Sequence, residues 1–170
     1  TFALPLSLGV AGERESVDIK LEDDNLSNEE LLERLNAAMP DDLPVFAVTD
    51  PVMKPGKIAY ASFVMTVDPE GRDAGALAQQ LTELFHRDSL VVPKHTKSGF
   101  IDFDIRPYLD RVEVCPVEGK VEIRAMLPAG SEMNVNPSLL LEAVQKELGL
   151  DLYTQIRRTN LYDEQFHAFQ

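Results

Sequence analysis

Two aspartates, Asp102 and Asp104, stand two residues apart where apolar and acidic side chains alternate, Ile101-Asp102-Phe103-Asp104-Ile105. On a β-strand that spacing puts both carboxylates on one face, about 7 Å apart. Paired carboxylates can exchange protons with a substrate or hold a divalent cation. Just upstream lie Lys94, His95 and Lys97, closed by Ser98 and Gly99; Arg106 follows downstream. The His95 ring, between two lysines, can contact a phosphate or a base. The plainer reading is structural. An exposed polar face would set the acids against Lys94 or Lys97 across a hairpin, and His95 would be a solvated turn residue.

Other chemistry is thinly represented. Residues 130–134, Gly-Ser-Glu-Met-Asn, precede an expected helix, so their amides and the helix N-terminus can hold an anion beside Ser131 and Asn134. The same loop also serves simply to join a strand to a capped helix. Arg157 and Arg158 point to opposite faces if they lie on a strand. One of them could join Arg106 on a surface while the other pairs with an acid. An iron–sulfur cluster needs several thiolates, and this chain has one cysteine, Cys115. His86, His95, His167 and Cys115 lack the close spacing of a zinc site. Cys115 alternates with polar neighbours and is expected as a buried structural thiol. No phosphate loop or dinucleotide fingerprint is present.

The elements that must carry these residues follow from periodicity and punctuation. Residues 2–8 and 16–21 read as strands around a Gly9–Gly12 turn region. Ser27 and Glu30 form a capping box that opens a helix with Leu31, Leu32, Leu35 and Met39 on one side. Residues 44–50 read as a short strand, and 51–56, with two prolines and a glycine, as a linker. Next comes a β-branched and aromatic strand over 58–67. A helix capped by Asp73 carries Leu77, Leu81, Leu84 and Phe85. A hairpin spans 90–105. A second hairpin, 111–117 and 120–127, turns at Glu118-Gly119. Asn136 caps and Pro137 starts a helix that Gly149 stops. Residues 154–162 form a last strand.

The order over 57–170 is β-α-(hairpin)-β-β-α-β, the split β-α-β or ferredoxin-like order with an inserted hairpin near 90–105. Residues 1–53 read β-β-α-β, the same order without its first strand and helix. The expected fold is therefore α+β, with two ferredoxin-like modules, the first truncated. The chain opens straight into the apolar segment TFALPLSLGV, so an upstream part is expected to be missing.

Length and composition bound what the molecule can be. A chain of 170 residues can bury a real core. No apolar run approaches the roughly 20 residues of a membrane span, and no secretory signal is visible. The lone cysteine fits a reducing cytoplasm. The net charge is −13, which opposes general nucleic-acid binding because phosphate contacts dominate that affinity. Charge is unevenly spread. Residues 11–50 hold twelve acidic and three basic residues; residues 86–111 hold five basic and four acidic. An anionic partner would approach the second region.

Four stretches in this order carry a family resemblance: FALPLSLGV with the acidic strand after it, KHTKSGFIDFDIRP, GSEMNVNPSLLLEAV and IRRTNLYD. Together they resemble the radical SAM-linked protein family, a domain of unknown function encoded beside or fused to a radical SAM protein. The resemblance spans essentially the whole chain. It implies an upstream strand and a basic, leucine-rich helix that this chain lacks. Where the family pattern tends to have a histidine before an arginine-threonine pair, this chain has Arg157. The family has no assigned catalytic residues. The positions that become candidates for anion or partner binding are Lys94, His95, Lys97, Asp104, Arg106, Ser131, Asn134, Arg158 and Thr159. The implied role is an accessory or substrate-presenting module for a radical SAM enzyme. The iron–sulfur cluster and S-adenosylmethionine would then sit in the partner, with no cofactor in this chain. An alternative is an RNA-binding module in RNA modification or processing, since ferredoxin-like sheets often present a face to RNA. A stand-alone enzyme using Asp102, Asp104 and His95 is a third reading.

Overall fold

A computed structural model describes residues 1–22 and 25–170. Among them the chain forms three α-helices and two sheets, a mixed α+β arrangement. The main sheet is built from β1 (Val10–Gly12), β2 (Tyr60–Val67), β5 (Val112–Val117), β6 (Lys120–Pro128) and β7 (Thr154–Tyr162), in the order β1-β7-β2-β6-β5. All neighbours are antiparallel except β1, which runs parallel to β7. A separate two-stranded sheet pairs β3 (Val91–Thr96) with β4 (Gly99–Asp104).

Period-two alternation decides which side of the main sheet is buried. Ala61, Phe63, Met65 and Val67 of β2 lie beside Val121, Ile123, Ala125 and Leu127 of β6, and all eight are buried. Two helices, α2 (Ala74–Phe85) and α3 (Ser138–Leu148), add apolar side chains to this core. From α2 come Leu77, Leu81, Leu84 and Phe85; from α3 come Leu139, Leu140, Ala143 and Val144. Asp73 caps α2 by accepting from the Ala76 amide at 2.7 Å, and Asn136 accepts from the Ser138 amide at 2.9 Å. Glu118 (φ +49°) and Gly119 (φ +78°) both adopt the left-handed region, as a tight two-residue hairpin turn requires.

The N-terminal third departs from expectation. Residues 2–8 and 16–21 make one isolated bridge, Phe2 with Val17, rather than a ladder. Pro5 lacks a donor, and the chain turns at Gly9 (φ +82°). The strand that does form, β1, occupies the expected turn region and pairs with β7. Residues 44–50 form no strand. There Val45 is held by Asn36, whose side chain donates to its carbonyl and accepts from its amide, both at 2.8 Å. Asn36 lies in α1 (Asn28–Ala38), where the Ser27–Glu30 capping box is present but no residue is buried. No described residue from 11 to 57 is buried. No helix of the described residues is long and apolar enough to cross a membrane.

Candidate functional site

The sequence candidates occupy different places. Asp104 turns inward at the base of the β3–β4 hairpin. It accepts from the amides of Leu90 (2.8 Å) and Arg106 (3.0 Å) and from the Ser89 hydroxyl (3.0 Å). The Leu90 amide above all holds its carboxyl below the usual aspartate range, against a smaller opposing effect of burial. Asp104 is thus a clasp for the hairpin. Asp102 stays exposed on the same strand face. Lys94 lies on the other face of the hairpin, so it meets neither acid. Its Nζ donates to the Asn134 carbonyl at 2.7 Å and sits 4.4 Å from the Phe103 ring centre. His95 packs edge-on against Phe100 at 5.1 Å, and Lys97 extends from the turn with no partner among the described residues.

The arginines do not converge. Arg106 pairs with Asp110 at 2.8 Å. Arg157 pairs with Glu13 at 2.7 Å. Arg158 is 4% exposed and engages both carboxylate oxygens of Glu15 as well as the Leu4 carbonyl. Both arginines of β7 therefore hold the segment before and after β1, and neither joins Arg106. Thr159 sits at an irregularity in the β2–β7 ladder, with its hydroxyl 2.7 Å from that of Ser62. Cys115 is half-buried, paired in register with Glu122 on the side of the sheet away from the helices. Expected as a buried thiol, it falls one residue out of phase with Val114 and Ile123 on the core side. Among the described residues no group of three His, Cys, Asp or Glu side chains is placed to hold a metal.

Ser131 leads to a different site. It lines a cleft of about 650 Å³ at one end of the main sheet, with Tyr60, Tyr108, Arg111, Gly130 and Phe166. That volume is in the range of small-molecule sites, roughly 300–1,000 Å³. Tyr60 comes from the start of β2. Tyr108 ends a short 3₁₀ turn (Arg106–Tyr108) that carries Pro107 in its first turn. The rings of Phe103 and Tyr108 stack at 5.7 Å. Arg111 precedes β5 and places its guanidinium 3.9 Å from the Phe166 ring centre, and Phe166 stacks on Tyr60 at 4.5 Å. Gly130 lets the loop after β6 approach β2, because a Cβ there would lie 3.0 Å from the Ile58 carbonyl.

Phe166 is held in a left-handed conformation, φ +63°, an outlier for a bulky residue that costs about 1–3 kcal/mol. Asp163 imposes it. Its Oδ1 accepts from the amides of Gln165 (2.9 Å) and His167 (2.8 Å), and its Oδ2 lies 3.1 Å from His167 Nδ1. Burial pushes the Asp163 carboxyl up, but the His167 amide and ring and the Gln165 amide together hold it below the usual range. Lys57, Glu132 and Glu164 also line the cleft, so its rim carries both signs of charge. Tyr60, Tyr108, Arg111 and Phe166 carry no sequence motif. Their only signal is an arginine and aromatics at the ends of strands, which become neighbours through the strand order. Asn134 and Arg158, by contrast, line a separate small recess beside Leu4 and Ser7.

The geometry defines an α+β sheet protein with a cleft walled by an arginine and aromatic rings. Residues 1–137 match a bacterial family described as an uncharacterized protein conserved in bacteria (DUF2344), and the chain belongs to that family. The match takes in Tyr60, Tyr108, Arg111 and Gly130 and ends before Phe166. No curated protein and no solved structure matches the chain.

Proposed function

We propose that this chain is an accessory binding module for a radical SAM enzyme, holding a group of the substrate while the cluster and the chemistry reside in the partner. The observation that carries the binding role is the cleft, above all the Arg111–Phe166–Tyr60 stack with Phe166 held in a strained conformation. Strain of this kind tends to be retained where a side chain must be presented in one position. The radical SAM partner rests on the sequence resemblance. The finer fold reading belongs with it: residues 57–170 form a ferredoxin-like module with the β3–β4 hairpin inserted. The strand order β7-β2-β6-β5 with two helices on one side supports this, being the order of a split β-α-β unit.

A planar or aromatic group fits such a wall best, stacking on a ring with the guanidinium nearby. The reading is tested with the purified radical SAM protein encoded beside a member of this family. Association with the chain, and turnover that falls in its absence and with Phe166→Ala, is the expected result. If the two proteins do not associate and the partner turns over equally well alone, the reading fails.

RNA binding is the second reading. Tyr60 and Tyr162 are register partners on the sheet face away from the helices, at the cleft end. Stacked bases would use such rings. Binding to single-stranded RNA that weakens steeply with salt and with Tyr60→Ala would favour it; salt-insensitive binding, or none, would remove it.

A further inference from the structure

The β3–β4 hairpin carries an open strand edge. In an antiparallel ladder alternate residues direct their backbone N–H and C=O groups outward. The Ile105 amide donates to the Leu90 carbonyl at 2.9 Å, which marks that pair as hydrogen-bonded. Counting along the register, Val92–Phe103, Lys94–Ile101 and Thr96–Gly99 are bonded pairs as well. The outward groups on β4 are therefore those of Phe100, Asp102 and Asp104. Among the described residues no backbone hydrogen bond engages Phe100 or Asp102 on that side.

The other edges are blunted. On the outer side of β3, Pro93 has no N–H, and the Val91 carbonyl accepts from Lys146 at 2.7 Å. On the outer side of β5, Pro116 has no N–H, and the Val112 amide is spent on the Leu109 carbonyl at 3.1 Å. The outer strand β1 is three residues long. Proline, short length and side-chain cover are the usual devices against unwanted strand addition. β4 has none of these three, and its one exposed edge charge is Asp102. Instead it exposes large apolar side chains, Phe100 (73%) at an outward position and Ile101 (47%) between two outward positions.

We infer that β4 is a docking strand, to which an extended segment of a partner protein adds by backbone hydrogen bonding. Charge selects the occupant. The hairpin's tip is basic at Lys97, but at the middle of the open edge the exposed charge is Asp102, and the chain as a whole carries −13. A segment alternating apolar and basic residues sets a lysine or arginine against Asp102 and an apolar side chain beside Ile101. A second copy of this chain fits poorly. It brings Asp102 and Asp104 close to their own counterparts and joins two strongly acidic molecules. The inference rests on the accessory-module reading only in expecting a protein partner.

The test pans a linear peptide library against the intact chain. Asp102 faces Pro93 in a non-bonded pair, so Asp102→Pro removes an outward amide and leaves the ladder bonds in place. Selected peptides should alternate apolar and basic residues. Their binding should weaken about tenfold with Asp102→Pro, the cost of roughly one well-made hydrogen bond and a charge contact. It should weaken less with Asp102→Asn, and the Phe100 and Asp102 amides of the unaltered chain should become protected from exchange. No selected peptide, an acidic consensus, binding unchanged by Asp102→Pro, or absent amide protection overturns the inference. So does self-association that Asp102→Pro abolishes. If the radical SAM protein associates equally well with Asp102→Pro, the docking strand fails and the accessory reading stands. If peptides bind at β4 but the radical SAM protein does not associate, the reverse holds.

Discussion

Arg157 and Arg158 are chemically identical neighbours with different fates. Arg157 is half-exposed in its pair with Glu13; Arg158 is buried and holds Glu15 and the Leu4 carbonyl at once. An exposed ion pair contributes little, about 0–1 kcal/mol. Removing one partner of a buried pair leaves an uncompensated charge, at a cost of about 3 kcal/mol. Urea unfolding should therefore show Arg158→Ala destabilised by about 3 kcal/mol and Arg157→Ala by less than about 1 kcal/mol. Asp163 gives a pH signature. Its folded pKa lies below the ordinary 3.8, so its contribution is fully present above that value and is lost as pH falls through the lower folded value. Exchange of the Gln165 and His167 amides should rise on acidification through that window beyond the intrinsic trend. With Asp163→Asn that added step should vanish.

At the scale of elements, local signals suffice wherever the element also buries a face. Helices α2 and α3, strands β2, β5, β6 and β7 and both hairpins formed where alternation, caps and turn residues placed them. The segments that stay irregular share a cause. Residues 2–8, 16–21 and 44–50 are as apolar as true strands, but a strand exists only if another strand accepts its hydrogen bonds, and theirs do not. Helix α1 shows the opposite case, a strong local signal with no fully buried residue. Its capping box is complete, with the Ser27 hydroxyl accepting from the Glu30 amide at 3.2 Å. Replacing Ser27 by alanine should melt α1 locally, by about 1 kcal/mol, seen as faster exchange of its amides. The urea midpoint of the whole chain should move little, since no residue of α1 is fully buried.

Across the whole molecule, packing density divides the chain. The buried side chains lie from Ile58 to Leu161, with Ala3 added from the N-terminus, while residues 11–57 contribute none among those described. Segments with few buried contacts open at low free-energy cost. Brief trypsin treatment should cut first at Lys20 or Arg34 and leave a resistant fragment beginning after the 3₁₀ turn Pro55–Lys57. Cleavage at Lys120 or Arg124 in β6, or at Arg157 or Arg158 in β7, at the same rate would contradict this division. The −13 charge acts at this scale too, favouring basic partners at β4 through long-range attraction.

The sequence by itself determined the α+β class, most element boundaries after residue 57 and the hairpin arm with its basic tip, because these depend on periodicity, caps and turn residues within a few positions. Only the tertiary structure decided what the charged residues do. Asp104 became a clasp, Lys94 crossed to the Asn134 loop, and both arginines of β7 were consumed by Glu13 and Glu15. Each outcome depends on which backbone or acid lies opposite, and strand order sets that. The cleft is the extreme case. Tyr60, Arg111 and Phe166 are separated by 51 and 55 positions, and they meet because the start of β2, the start of β5 and the end of β7 share one end of the sheet.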